Sequence, residues 1–183
     1  ITLMRVVPKM DAGPVVDFEK VPIISTDTGI SLREKISHAC VPLLLRSMPT
    51  LFSQNFSESK QDEGRVTYCR KLNRGDGRLD FSLSAAEIDF RFRAFVGWPG
   101  TWFCHNDSVL KVGKLCVSKE TLGLKPGECN AEKKDSLIVG TGAGSVEILE
   151  LQKPGGKMLP VSDFLRGYPL PSHVTFSAHI EKR

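Results

Sequence analysis

The sequence contains no hydrophobic run that is long enough to cross a membrane as a helix. Such a helix needs about 18 to 20 consecutive apolar residues, whereas the longest apolar stretch, Val41 to Leu45, is bounded by His38 and Arg46. The first residues also lack the regions of a secretory signal peptide. We therefore expect no membrane contact and no secretory leader.

Paired cysteine motifs are absent as well. The chain has 5 cysteines, an odd number, and no two of them are separated by only two residues. A disulfide framework or a zinc site would need such pairing or spacing. We therefore predict no metal site and a reducing compartment, either the cytoplasm or the matrix of an organelle.

A strong excess of charge of one sign is also missing, since the net charge is +4 over 183 residues. The charge is nevertheless uneven: residues 1–64 carry 7 Lys or Arg and 8 Asp or Glu, whereas residues 65–183 carry 18 and 13. The basic segment, residues 65–78, contains one acid, Tyr68 and five basic residues: Arg65, Arg70, Lys71, Arg74 and Arg78. This pattern fits phosphate contacts and a stacked base, although a solvated surface explains a modest excess equally well.

The length suits one domain of ordinary size, or a small domain with part of another. The chain begins with Ile1 rather than Met, and residues 2–7 already have the pattern of a strand within a sheet. We therefore expect the sequence to be a piece of a longer protein.

The first residues predict two strands, Thr2 to Val7 and Val15 to Ile23, joined by the turn Met10-Asp11-Ala12-Gly13-Pro14. Asp11 is the candidate catalytic residue of this region, because an Asp in a glycine-containing turn can face a cleft and accept or relay a proton. The alternative is an Asp that only hydrogen-bonds its own turn.

A helix and a linker should follow this turn. Ser31 and Glu34 have the spacing of a capping box, which predicts the start of the helix. Pro42 should kink the helix and Pro49 should end it. Residues 53–64 are polar and lack periodicity, so they are the predicted linker.

The later residues predict one further helix and then short strands. Ser84 and Glu87 form a second capping box, and closely spaced turns after residue 100 favour a small closed barrel or sandwich. The glycines at 140–144 lack the Lys-Ser/Thr of a phosphate-binding loop, so we predict a flexible hairpin there. Trp98 and Trp102 are expected in the core.

Several short motifs indicate a protein family through their order along the chain. They are Met10-Asp11-Ala12-Gly13, Val66-Thr67-Tyr68-Cys69-Arg70-Lys71-Leu72, Asp76-Gly77-Arg78-Leu79-Asp80-Phe81, Trp98-Pro99-Gly100-Thr101 and Asp163-Phe164-Leu165-Arg166-Gly167. Each motif is weak by itself. The ordered set, from Ile1 to about Leu170, closely resembles the second half of methionyl-tRNA formyltransferases.

The resemblance implies an α/β plus β fold. Residues 1–55 would be the C-terminal part of a Rossmann-like catalytic formyltransferase domain, and residues 56–80 the linker with the basic segment. Residues 81–183 would be an OB-like β-barrel, the tRNA-binding C-terminal domain. OB barrels often bind oligonucleotides, which agrees with the basic segment.

The resemblance also implies an activity in translation initiation. The family transfers a formyl group from 10-formyltetrahydrofolate to the amino group of methionine on initiator tRNA, so this folate and the initiator methionyl-tRNA are the implied partners of a monomeric enzyme. The family uses an Asn, a His and an Asp, of which only the Asp is matched, at Asp11. No Asn-x-His occurs in the sequence, so we expect this chain alone to be inactive.

One departure and three alternatives accompany this resemblance. Gly13-Pro14-Val15 is closer to glycinamide ribonucleotide formyltransferases, which changes the expected wall of the folate pocket. The alternatives are a sugar-nucleotide formyltransferase, a 10-formyltetrahydrofolate hydrolase relative, and a free-standing OB-type RNA-binding module. Binding of tRNA that weakens steeply with salt would distinguish a tRNA enzyme from a sugar-nucleotide enzyme.

Overall fold

The computed structural model describes residues 1–120, 122–133 and 135–176. Residues 177–183 of the predicted C-terminal domain therefore lie outside the described residues. The chain divides into two units, Ile1–Lys71 and Leu72–Arg183. This division falls inside the predicted linker, residues 56–80.

The first unit contains a short antiparallel pair of strands, β1 (Thr2–Met4) and β2 (Val15–Phe18). The register shifts by a bulge between Leu3 and Met4. Both strands are shorter than the sequence predicts. The bulge interrupts the ladder at one end, and the prolines at positions 8 and 22 cannot donate a ladder hydrogen bond.

Residues of the predicted linker extend this pair of strands. The Val15 N–H donates to the Ser59 carbonyl at 2.8 Å, and the Ser59 N–H donates back to the Val15 carbonyl at 2.9 Å. Nearby, Arg5 forms an ion pair with Glu58 at 2.6 Å. The polar stretch around residue 59 is therefore part of the first unit.

The long helix α1 (Gly29–Phe52) begins earlier than predicted. The predicted capping box of Ser31 and Glu34 is wrong, because Thr28 is the N-cap. The Thr28 hydroxyl accepts from the Ser31 N–H at 3.2 Å, and the Ser31 hydroxyl accepts from the Thr28 N–H at 2.9 Å. Thr28 and Ser31 thus form the two reciprocal hydrogen bonds of a capping box, three residues before the predicted pair of Ser31 and Glu34.

The end of α1 also differs from the prediction. The helix contains both Pro42 and Pro49 and ends at Phe52. A proline lacks an N–H donor but keeps its carbonyl as an acceptor, and the Pro49 carbonyl accepts from the Ser53 N–H at 3.1 Å. The last turn therefore remains closed.

Helix α1 exposes much of its apolar surface. Leu43 and Ser47 are its buried residues, whereas Val41 is 56% exposed, Leu45 71% and Phe52 79%. A helix with apolar residues on most sides is normally buried in a larger structure. A Rossmann-like sheet is not formed by the described residues of the first unit, since a sheet of that type needs parallel strands and β1 pairs with β2 antiparallel.

The described residues of the second unit form two α-helices, a short 3-10 helix at Arg74–Gly77 and an antiparallel sheet. Its elements are α2 (Ala85–Phe95), β3 (Thr101–His105), β4 (Ser108–Val117), β5 (Cys129–Asn130), β6 (Leu137–Gly140), β7 (Ser145–Gln152), β8 (Leu159–Pro160) and α3 (Val161–Gly167). The strands are hydrogen-bonded in the order β3-β4-β7-β6-β5, and β8 pairs with β7. Strands β3 and β4 form one hairpin, and β6 and β7 form the hairpin that is predicted at residues 140–144.

The sheet curls until its two ends approach one residue, Phe176. The Phe176 ring lies 4.4 Å from the Phe103 ring of β3, centroid to centroid. The Phe176 N–H donates to the Gly127 carbonyl, close to β5, at 2.8 Å. Register shifts between Val112 and Leu115 in β4 add curvature. Residues 171–176 have no recognisable sequence pattern, yet they complete the core of this unit.

Helix α2 begins at the predicted capping box, which is confirmed. The Ser84 hydroxyl accepts from the Glu87 N–H at 3.3 Å, and the Glu87 carboxylate accepts from the Ser84 N–H at 2.9 Å. The helix buries Ile88 and Phe92 against the sheet. None of the helices in residues 1–120, 122–133 and 135–176 is long and apolar enough to cross a membrane.

The glycine turn at 140–144 packs against the residues before α2. The Gly142 N–H donates to the Leu83 carbonyl at 2.8 Å. A Cβ on Gly142 would lie 2.0 Å from the Ser82 carbonyl oxygen. The predicted hairpin is thus present, and its turn packs closely on the backbone before α2.

Candidate functional site

The turn that carries Asp11 is closed at its base by the backbone. The Arg5 N–H donates to the Pro14 carbonyl at 3.0 Å. Gly13 lies so close to Arg5 that an added Cβ would be 1.7 Å from the Arg5 carbonyl oxygen. Glycine is therefore required at this position for a steric reason.

Gln61 supports the same turn from the side. Its Nε2 amide donates to the Asp11 carbonyl at 2.9 Å and to the Gly13 carbonyl at 2.7 Å. Both carbonyls belong to the turn, so the Gln61 side chain links Asp11 to Gly13. Gln61 lies in the predicted linker, and nothing in its local sequence indicates this contact.

The Asp11 side chain is exposed and is not used by the turn. Its backbone has φ of 53°, the left-handed region, which Asp adopts more readily than most residues. Among the described residues, no hydrogen bond or ion pair reaches its carboxylate. The structure thus does not support the alternative in which Asp11 only hydrogen-bonds its own turn.

The first unit contains three of the five predicted tRNA-binding residues, Arg65, Arg70 and Lys71. All three are exposed. Arg65 ends a short 3-10 turn that begins at Glu63. The Arg70 Nη1 donates to the Lys71 carbonyl at 3.2 Å.

The other two, Arg74 and Arg78, belong to the second unit and lie against β3. The Trp102 indole N–H donates to the Arg74 carbonyl at 3.1 Å. Arg78 forms a parallel bridge with Trp102, and the next N–H, that of Leu79, donates to the Trp102 carbonyl at 2.8 Å. Arg74 is exposed and Arg78 is half-buried. The backbone of the basic segment is therefore fixed to the sheet here.

The family described as "Formyl transferase, C-terminal domain" matches residues 71–169, just over half of the chain. The chain belongs to the formyl transferase family. The match begins one residue before the second unit, which starts at Leu72.

Two curated relatives of this formyl transferase chain are named methionyl-tRNA formyltransferase. The protein from Gluconobacter oxydans is 36% identical over 172 residues, which cover 93% of this chain and 54% of the relative. The protein from Methylococcus capsulatus is 32% identical over 170 residues, which cover 93% and 55%. The chain thus spans about half the length of the curated relatives it matches.

Solved structures share the fold of this formyl transferase chain. HypX from Aquifex aeolicus, in complex with tetrahydrofolic acid, has a TM-score of 0.65 at 20% identity, covering 90% of this chain and 29% of HypX. The N-formyltransferase from Helicobacter canadensis, in complex with folinic acid and dTDP-3-aminofucose, has a TM-score of 0.63 at 19% identity, covering 83% and 54%. At these identities the likeness concerns the fold alone.

Two further residues of the formyl transferase second unit face the basic segment. Arg91 on α2 donates from Nη2 to the Asp76 carbonyl at 3.3 Å. The pKa of Asp80 is lowered, mainly by hydrogen bonds from Ser82 and also by the charges of Arg78 and Arg91. Arg91 thus adds charge to this surface, although its position on a helix gave no signal in the sequence.

Two other titratable groups of the second unit, His105 and Cys129, are buried. The His105 ring, whose pKa burial lowers, contacts the Tyr168 hydroxyl through Nδ1 at 2.9 Å. Burial raises the pKa of Cys129 to about 11. All five cysteines are free. Among the described residues no group of three or more His, Cys, Asp and Glu side chains could hold a metal ion.

Proposed function

We propose that this chain is part of a methionyl-tRNA formyltransferase, which transfers the formyl group of 10-formyltetrahydrofolate to methionyl-initiator tRNA. The observation that carries the proposal is the length of the match to the curated relatives. An alignment of 172 residues is longer than either unit, so it includes both. A free-standing binding module would need only the second unit to match.

Asp11 is the proposed proton-transfer residue. In formyl transfer, the amine nitrogen forms a bond to the formyl carbon, and the bond from that carbon to the folate nitrogen breaks. The attacking amine loses one proton, and the departing folate nitrogen gains one. The Asp11 carboxylate can accept the first proton and return it, because no neighbour among the described residues occupies it.

The basic segment is the proposed contact with tRNA phosphates. Arg65, Lys71 and Arg74 are exposed, and none of the three forms an ion pair within the described part of the chain. Charges of this kind gain free energy by displacing counterions from nucleic acid. We expect these residues to add affinity without reading bases.

The proposal also assigns a fold to each of the two units. The exposed apolar side chains of α1 support residues 1–55 as the C-terminal part of a Rossmann-like domain, in which they would be covered. The curled sheet, linked end to end by Phe176, supports an OB-like barrel for the second unit. We also propose a monomer in a reducing compartment, the cytoplasm or an organelle matrix, which the free cysteines support.

The activity is best tested in a chimera, because the chain spans about half of its curated relatives. This chain would replace the matching region of the Gluconobacter oxydans protein. We expect the chimera to formylate methionyl-tRNA, and Asp11→Asn to lower kcat by about 10²- to 10⁴-fold. Asp107→Asn is the matched control, since Asp107 is also exposed in a hairpin turn. Equal rates for both variants would contradict the role of Asp11.

Binding of tRNA can be measured on the chain itself. We expect the affinity to fall steeply with salt, and Lys71→Ala with Arg74→Ala to reduce the logarithmic salt slope by about 0.7 to 0.9 per lost phosphate contact. Exposed Lys9→Ala, outside the basic segment, is the control. Absence of tRNA binding by the unaltered chain would favour a sugar-nucleotide enzyme.

A further inference from the structure

An exposed tryptophan lies in the loop between α2 and β3. Trp98 is 52% exposed, so the prediction that it lies in the core is wrong. Its ring makes no contact with another aromatic ring or with a cation among the described residues. About half of a large aromatic side chain is therefore accessible to a ligand.

The loop that carries Trp98 lies against the basic segment. A Cβ on Gly77 would be 1.9 Å from the Gly100 carbonyl oxygen and 3.4 Å from Pro99 Cγ. Gly77 therefore allows the two stretches of backbone to touch. The bond from the Trp102 indole to the Arg74 carbonyl, at 3.1 Å, joins them a second time. The stretches of backbone that carry Trp98 and Arg74 are thus in contact within the second unit.

Two exposed arginines, Arg74 and Arg91, lie on or beside these two stretches of backbone. Arg74 is exposed and forms no ion pair within residues 1–120, 122–133 and 135–176. Arg91 is also exposed, and its bond to the Asp76 carbonyl holds it beside the basic segment. Four acids lie between them in sequence, and each already has a partner. Asp76 accepts from the Asn73 N–H at 2.7 Å, Asp80 from the Ser82 hydroxyl at 2.6 Å, and Glu87 from the Ser84 N–H at 2.9 Å, while Asp89 forms an ion pair with Arg93 at 2.9 Å.

We propose that Trp98 stacks on an unpaired base of the bound RNA, while Arg74 and Arg91 contact the phosphates on either side. This proposal rests on the tRNA binding proposed above and assigns one subsite to it. Proteins recognise unpaired nucleotides by stacking them on aromatic rings next to a positively charged track. A base inside a duplex does not offer its face, so the site selects a single-stranded nucleotide.

The first test compares two exposed aromatic residues of the same unit. Trp98→Ala should weaken tRNA binding by about 5- to 100-fold, the range that loss of one base–aromatic stack produces. Trp98→Phe should restore most of the affinity, because a phenyl ring still stacks. Phe90→Ala is the matched control, since Phe90 is 58% exposed on α2 but already stacks with Arg93. We expect this control to change the affinity less than twofold.

The second test uses tryptophan fluorescence. The chain has 2 tryptophans, so Trp102→Phe leaves Trp98 as the only reporter. A short single-stranded RNA should quench this fluorescence, and a blunt duplex of the same sequence should quench it much less. If Trp102→Phe does not fold, the difference between the unaltered chain and Trp98→Phe supplies the same signal.

The outcomes separate this subsite from the broader function. Salt-dependent tRNA binding that Trp98→Ala leaves unchanged would overturn the stacking proposal and leave the proposed function intact. Equal losses in Trp98→Ala and Phe90→Ala, or equal quenching by duplex and single strand, would also overturn it. If the unaltered chain fails to bind tRNA, the proposed function fails first.

Discussion

Gly13 offers a direct test of how the Asp11 turn is held. In Gly13→Ala, the new Cβ would lie 1.7 Å from the Arg5 carbonyl oxygen, whereas real Cβ atoms essentially never come within 3.0 Å of another heavy atom. The two stretches of chain must therefore separate by at least the difference, about 1.3 Å. Such a shift breaks the bond from the Arg5 N–H to the Pro14 carbonyl.

The expected cost follows from these two changes. Overpacking a close backbone contact costs about 1 to 3 kcal/mol, and the lost hydrogen bond adds about 1 kcal/mol. We therefore expect Gly13→Ala to lower the free energy of unfolding of the first unit by about 2 to 4 kcal/mol. The turn would also lose its fixed position relative to Gln61.

Two spectroscopic signals distinguish the units in a urea titration. Both tryptophans, at positions 98 and 102, lie in the second unit, so their fluorescence reports on that unit. The 24-residue helix α1 dominates the helical circular dichroism over α2 with 11 residues and α3 with 7. We expect the dichroism transition to move to lower urea by about 1 M or more, while the fluorescence transition stays in place.

Gly167→Ala is the control for the substitution itself, because a Cβ on Gly167 meets nothing within 4 Å. It should change stability by less than about 0.5 kcal/mol. The reasoning is refuted if Gly13→Ala also stays within that range in the dichroism transition.

Two other substitutions test the core and the start of α1. Phe176→Ala should destabilise the second unit by about 3 to 5 kcal/mol, because Phe176 is 4% exposed and packs on Phe103; an unchanged fluorescence transition would contradict its role in closing the sheet. Asp27 has its pKa lowered from 3.8 to about 2, mainly by Lys35 and also by the Ile24 N–H. A carboxyl whose folded pKa is lowered stabilises the fold above its unfolded pKa, and this contribution is lost as pH falls from about 4 to about 2. With Asp27→Asn, the free energy of unfolding measured by circular dichroism should therefore fall less steeply as the pH drops from about 4 to about 2. An unaltered dependence on pH would contradict a stabilising role for the pair of Asp27 and Lys35.

Sequence patterns predicted the local features of the fold well. The capping box of Ser84 and Glu87 and the hairpin of β6 with β7 depend on residues a few positions apart, so their signals lie within a short window. The start of α1 was mispredicted because Thr28 with Ser31 and Ser31 with Glu34 offer similar spacing. Residue types alone do not show which of the two pairs begins the helix.

The candidate site was predicted only in part. Asp11 and the basic segment follow from residue type and from the family resemblance. Gln61 did not, because it lies 50 residues from Asp11 and its amide has no local pattern. Arg91 and Trp98 likewise join the basic segment only through contacts such as that between Gly77 and Gly100.

Residue identity and order were enough to predict the family, the position of Asp11 in a turn, and the uneven charge, because each can be read directly along the chain. The folded structure was needed to establish that no described residue bonds the Asp11 carboxylate, that Trp98 is exposed, and that Phe176 closes the sheet. These properties depend on which distant residues meet, and distance along the chain carries no record of such contacts.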